Sequence, residues 1–256
     1  MDRRGGELMR AHVCLTLTLV FAVGTNVVRV NAQTSARASV SINAGSQPSS
    51  ISFAGSATNI VNLENAVTNT GYKVANGPAF DGGVAVRLLG HLGIGVGISS
   101  FSNEHDASIS ASIPHPFFFN TPRSISGVGS LRRNELAAHV QAVYVLATGR
   151  KWDIAIAGGP SFFSTEQDVV SDVTYAETYP YDTATFVAAS TSRVSKKAVG
   201  FNASADVTVH VAPHVGLGVL VRFSRASLEF AVPSHAETVK LNAGGVQVGG
   251  GLRLFF

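Results

Sequence analysis

Cysteine is nearly absent: the 256 residues hold one, Cys14, in an N-terminal apolar segment. The rest of the chain therefore offers no disulfide, no thiol nucleophile and no thiolate metal site. Charge is also scarce. Asp, Glu, Lys and Arg make up 14% of the chain and the formal net charge is +3, whereas a soluble globular protein carries about a quarter charged residues. No basic tract occurs, which argues against nucleic acid as a partner. No apolar run reaches the roughly 18 residues of a membrane-spanning helix. Enzyme motifs are missing as well: there is no G-x-S-x-G, no H-E-x-x-H and no phosphate loop. Gly93, Gly95 and Gly97 mimic a dinucleotide motif, but they alternate inside a strand pattern with no helix after them. His91, His105, His115, His139, His210, His214 and His235 are scattered without metal-site spacing. The sequence thus points to no catalytic residue, no cofactor and no metal.

What is present begins with a leader. Arg3, Arg4 and Arg10 precede a short apolar run from Val13 to Val23, and Val30-Asn31-Ala32-Gln33 supplies a small-residue exit. This is the layout of a secretory signal peptide, with cleavage expected after Ala32. Residues 33–256 then form a single domain.

Period-2 alternation marks that domain as all-β. Val84, Val86 and Leu88 alternate with Ala85 and Arg87; after Gly90-His91, Leu92, Ile94, Val96 and Ile98 alternate with glycines and Ser99. A second hairpin runs Leu136 to Leu146, turns at Thr148 to Lys151, and resumes at Trp152 to Ala157. A third runs Val199 to Val211, turns at Ala212-Pro213-His214, and continues Val215 to Phe223. The chain ends V-Q-V-G-G-G-L-R-L-F-F, alternating up to Phe256. These seven strands need an eighth for an even count. Ala38 to Ala44 is the first choice, with 50–58 or Gly71 to Val74 as alternatives. The connections sort by length: short at Gly90, Gly149 and Pro213, long at about 46–79, 103–133, 164–196 and 228–242. The expected fold is an eight-stranded antiparallel up-and-down transmembrane β-barrel, with short periplasmic turns and long outer loops.

The signal peptide, the Gly-rich alternating strands and the terminal Phe256 resemble the small eight-stranded outer-membrane β-barrels, the opacity-protein and OmpA-like class. The resemblance implies an integral location in the outer membrane of a diderm bacterium, reached through the secretory pathway. It implies outer-membrane lipid, periplasmic chaperones and the barrel-insertion machinery as partners, and a monomeric state. Phe256 would then be part of the assembly signal. The class carries no catalytic motif to transfer.

If the apolar sides face lipid, the opposite sides collect Arg87, Glu135, His139, Gln141, Asp153, Asp206, His210, Arg222, Gln247 and Arg253 in the lumen. Buried charges must pair, so Arg222 and Arg253 are expected to meet Glu135, Asp153 and Asp206. Such a network suits a structural plug, or alternatively a narrow passive pore. Outside the strands, two aromatic segments are candidates for recognition: His115 with Phe117, Phe118 and Phe119, and Tyr179 with Tyr181. The function expected is structural or surface-interacting, with no enzyme activity. A soluble secreted all-β binding protein is the remaining alternative.

Overall fold

Alternation continues well past the segments marked above. The computed structural model describes residues 37–48, 51–74, 76–148, 151–231 and 238–256; the expected signal peptide, residues 1–32, lies outside them. Ten strands form: β1 (Ala38–Gln47), β2 (Ile51–Val61), β3 (Glu64–Val74), β4 (Gly77–Leu89), β5 (Leu92–Ile113), β6 (Arg123–Thr148), β7 (Trp152–Glu177), β8 (Ala184–Ala212), β9 (Val215–Ala231) and β10 (Thr238–Phe255). They make eight staves. β3 and β4 pair successive stretches of β5, with Gly71 opposite Ser108 and Ala79 opposite Phe101. β1 and β2 run on in the same way, Gln47 opposite Gly77 and Ile51 opposite Val74. The eight staves pair in sequence order, all antiparallel, and β10 pairs back onto β1. Phe256 continues that closure: its N–H donates to the Ala38 carbonyl at 2.9 Å and its carbonyl accepts from Arg37 at 2.8 Å.

Each of the eight expected strands is present, Ala38 to Ala44 within β1. The two alternatives for the first strand are also strands, forming β2 and β3 at the outer ends of the first two staves. The expected long loops are corrected. Most of 46–79, 103–133 and 164–196 is strand, and among the described residues 114–122 and 178–183 remain as the longer irregular outer connections; the middle of the expected loop 228–242 lies outside the described residues. The reason is a reversal of face. Along β5 the outward side chains read Leu92, Ile94, Val96, Ile98 and then Ser100, Ser102, Glu104, Asp106, Ser108, Ser110. The inward ones read Gly93, Gly95, Gly97, Ser99 and then Phe101, Asn103, His105, Ala107, Ile109, Ala111, Ile113. The apolar face moves from outside to inside without a break in the strand. β6 reverses between Asn134 and Leu136, β7 between Phe162 and Ser164, β8 between Lys197 and Val199, and β9 between Phe223 and Arg225. The reversals line up across the wall, because Ser100 pairs with Leu136, Leu136 with Ser164, and Ser164 with Lys197.

Below that line the barrel wears an exposed apolar belt. Phe80, Phe162, Phe201 and Phe223 edge it on the hairpin side, and Tyr144 and Trp152 on the turn side. β6 crosses it from Leu136 to Leu146, matching the 9–11 tilted residues (about 25 Å) of a bilayer-spanning strand.

Above the line the outside is polar and the inside is a core. The ring opens among the described residues. β6 stops pairing with β7 beyond Arg133, β8 with β9 beyond Phe201, and β10 with the first stave beyond Ser46. The Asp168 carboxylate accepts from the Arg132 N–H at 3.4 Å where β6 and β7 part. What remains is a four-stranded sheet, β2-β3-β5-β6, facing the β7–β8 ribbon, and a second ribbon in which β9 and β10 stay paired as far as Ala231 and Thr238. Tyr72, Ile109, Ile113, Ile125, Leu131, Val170 and Val173 fill the space between the sheet and the β7–β8 ribbon, with Phe186 against it. The Tyr72 hydroxyl accepts from the Val170 N–H at 3.1 Å, and burial pushes its pKa up. Gly127 seats the Phe186 ring, where a Cβ would stand 2.1 Å from Cδ1. Gly127→Val is therefore expected to cost about 1–3 kcal/mol by overpacking. Limited proteolysis should cut the outer hairpins faster in this variant, while the barrel keeps its heat-modifiable migration on gels.

Candidate functional site

Two regions hold the residues singled out from sequence: the lumen and the far end of the hairpins. In the lumen, ring closure brings strands distant in sequence face to face. The Arg253 guanidinium donates to Asn43 Oδ1 at 2.6 Å and forms an ion pair with Asp206, which also accepts from Thr208 at 2.7 Å. Gly218 leaves the room, since a Cβ there would lie 2.9 Å from Arg253 Cζ. Arg222 forms an ion pair with Asp81, which accepts from Asn43 at 3.0 Å. His139, 1% exposed, lies between the hydroxyls of Ser99 (2.9 Å, to Nε2) and Ser161 (2.8 Å, to Nδ1). Asn202 donates to Ser161 and bonds Gln141. Near the turn end His210 meets Asp153 at 2.8 Å under the Phe255 ring. Arg87 lies half-buried on the same face and joins none of the ion pairs among the described residues.

The expected pairings hold for Arg253 with Asp206 and change elsewhere. Arg222 does not meet Glu135, Asp153 or Asp206. It passes Gly97, where a Cβ would be 3.9 Å from its Nη2, and crosses to Asp81 on β4. Glu135 is taken by Arg133, two residues along and therefore on the same face, at 2.6 Å. Glu135 also accepts from the Gly244 N–H and Arg133 donates to the Asn242 carbonyl, both at 2.8 Å. Gly244 sits at φ +85°, and a Cβ there would be 2.4 Å from the Ser224 carbonyl.

Inward residues ascending β6 read Gln141, His139, Ala137, Glu135, Arg133, Leu131. Ala137, Phe163, Ala226, Leu228 and Ala243 form an apolar layer directly above His139. The polar lumen is thus roofed by that layer, then by the Arg133–Glu135 pair, then by the outer core. The Ser99–His139 contact has the reach of a nucleophile and its base. The other imidazole nitrogen, however, meets a serine hydroxyl, not a carboxylate, and the group is closed off from either end. Among the described residues no group of three or more His, Cys, Asp or Glu could hold a metal. Removing Arg222 leaves Asp81 buried and unpaired, so Arg222→Met is expected to lose about 3–5 kcal/mol. Arg222→Met with Asp81→Leu should recover most of it, as thermal unfolding in detergent would record.

The second region is the distal tip, where the turns of three hairpins meet. His115 is buried, and its Nδ1 accepts the N–H groups of Phe117 (3.1 Å) and Phe118 (3.2 Å). Its proton therefore sits on Nε2, 3.9 Å from the Asp182 carboxylate. Arg123, also buried, binds Glu177 at 2.5 Å and the carbonyls of Pro114 (2.9 Å) and Tyr181 (3.0 Å). Asn62 donates to the Pro114 carbonyl at 3.2 Å, and Glu64 accepts from the Asn120 N–H at 3.0 Å. On this clamp Phe117, Phe118 and Phe119 stand 62–68% exposed and Tyr179 85%, joined by Leu63 at 86% and Ile60 at 78%. The Phe117 and Tyr181 rings meet at 5.5 Å. Sequence reasoning missed Asp81, Arg133, Arg123, Leu63 and Ile60. The two arginines and the aspartate were legible as continued alternation; Leu63 was legible as an apolar residue in a turn.

The chain is an eight-stranded up-and-down β-barrel. That conclusion rests on the closed ring itself. No protein-family model matches the sequence, and no curated protein matches it. Among solved structures, the outer membrane protein OprG from Pseudomonas aeruginosa is similar at 8% identity and a TM-score of 0.45, over 88% of this chain and 99% of that one. Neisserial surface protein A is similar at 14% identity and a TM-score of 0.38, over 86% and 96%. The outer membrane protease OmpT from Escherichia coli is similar at 9% identity and a TM-score of 0.44, over 89% and 99%.

Proposed function

We propose that this protein is an integral outer-membrane barrel that carries a rigid stalk for surface recognition. The observation that carries the reading is the cluster of exposed apolar side chains, held on a buried ionic clamp at the end of hairpins that rise far above the belt. An exposed patch of this kind on a soluble surface marks an interaction site. The belt below suits lipid: its outward residues are apolar, aromatic rings edge it on both sides, and every strand of the closed ring is paired with a neighbour on each side. The termini and tight turns take the periplasmic side, and the long hairpins face outward. Phe256, whose backbone continues the closure, is read as the end of the assembly signal, recognised by the insertion machinery after export and escort by periplasmic chaperones.

A structural plug accounts for the lumen better than a pore does. Arg222 and Arg253 pair with Asp81 and Asp206 across the interior, and two apolar layers with a buried ion pair between them roof it. The barrel contributes anchorage, and the outer hairpins contribute contact. Purified protein in planar bilayers is expected to give no conductance steps, while fractionated cells keep it in the outer membrane. Regular steps that change on replacing Arg222 or Arg253 would contradict the plug. Recovery from the soluble periplasm would contradict the anchorage.

A further inference from the structure

The tip differs from an ordinary polar loop in three independent ways. Its large side chains are exposed and apolar: Leu63, Phe117, Phe118, Phe119 and Tyr179. Several of its backbone groups are satisfied by its own side chains. The N–H groups of Phe117 and Phe118 are accepted by His115, that of Asn120 by Glu64, and the Phe118 carbonyl accepts from the Thr121 hydroxyl at 2.6 Å. A loop that stays in water has no need of this, because water satisfies its backbone. A loop that enters hydrocarbon does need it, since each unpaired group costs several kcal/mol there. Finally, the described non-glycine residues with left-handed backbone, Asn62 (φ 51°), Leu63 (φ 68°), Asn120 (φ 60°) and Tyr181 (φ 73°), all belong to this tip. Asn is at home at such a position, whereas Leu and Tyr are costly there. Leu63 thus suits neither its turn nor water, and strain of this kind gathers at functional sites.

From these observations we infer that the distal tip inserts into a lipid bilayer apposed to the protein's own membrane. This rests on the stalk reading above and names its partner. Charge selects the kind of surface. The charged and imidazole side chains at the tip are the carboxylates Glu64, Glu177 and Asp182, together with Arg123 and His115, both buried in the clamp. The exposed cations of the outer hairpins, such as Lys73, Arg132, Arg193 and Lys197, lie toward the belt. An uncharged or zwitterionic bilayer therefore fits, and an anionic one does not. The shape agrees: the apolar residues project from hairpin ends and would enter an interface with the tyrosines near headgroup level.

The test uses the full-length protein reconstituted in nanodiscs and mixed with protein-free phosphatidylcholine vesicles. Co-flotation with the vesicles is expected, and should fall at least tenfold for Phe117→Ser/Phe118→Ser/Phe119→Ser, whose barrel migration on gels stays heat-modifiable. In a second measurement, Trp152→Phe/Phe118→Trp should show quenching by brominated lipid placed only in the vesicles. Equal flotation of the triple variant, or tryptophan emission unchanged by brominated lipid, would overturn the inference. So would binding confined to phosphatidylserine vesicles. Absence of native co-flotation would overturn it too, leaving an apolar protein groove as the tip's partner and the stalk reading intact. The stalk reading fails separately, if the protein does not fractionate with the outer membrane.

Discussion

One constraint organises the molecule: the wall of a single continuous sheet has two different solvents on its outer side. Against lipid the wall must be apolar outside, and the narrow interior then receives what is polar. Against water the same strands must be polar outside, and the interior becomes the only place for apolar side chains. A strand has two faces with a fixed period of two. It can cross from one regime to the other only by exchanging the apolar side at the boundary. β5 does so between Ile98 and Ser100, β6 between Leu136 and Asn134, and their neighbours follow in register.

The rest follows from that exchange. Below the boundary, charge is confined with no water around it on the lipid side, so it finds polar partners: Arg253 with Asp206, Arg222 with Asp81, and the Asp153 carboxylate in a hydrogen bond with the His210 imidazole. Above it, an apolar interior draws opposite walls together and the ring divides into a sheet and two ribbons, β7–β8 and β9–β10. Exposed pairs there, such as Arg132–Glu104 at 2.8 Å, matter little to stability. Arg132, with Ser130, holds the Glu104 carboxyl below its ordinary range, so what this pair contributes is present above the ordinary carboxylate pKa and lost as pH falls through the lowered one. The outer layers close on an apolar core, and at their end the buried Arg123 and His115 join two turns while Asn62 and Glu64 tie in the third.

The barrel was legible in the sequence because lipid enforces a clean alternation from Leu92 to Ile98, from Leu136 to Leu146 and from Val199 to Val211. The outer hairpins were not, for a physical reason. Tracking the apolar face makes Phe101, Ala107, Ile109 and Ile113 look out of phase, so the strand seems to end at Ser99, although period two never fails. The same shift hid Arg133, which lies on the luminal face only once β6 is extended. Register cannot be read from composition, so the partner of Arg222 was open until ring closure set β4 opposite β9 across Gly97. The aromatic segments stood out as candidates, but their exposure depends on His115 and Arg123 folding beneath them through contacts distant in sequence, such as Arg123 with Tyr181, 58 positions apart.

The exchange of solvents is the claim to test most directly. Single cysteines at Ile94, Ile98, Ser102, Asp106 and Ser110, all outward on β5, would be placed in a Cys14→Ser background, which holds no other cysteine. Reaction of intact cells with a membrane-impermeant maleimide should be negligible at 94 and 98 and fast from 102 onward, a step within four residues. Uniform labelling along β5, or a step displaced by more than about one turn of the pleat from Ser100, would contradict the account.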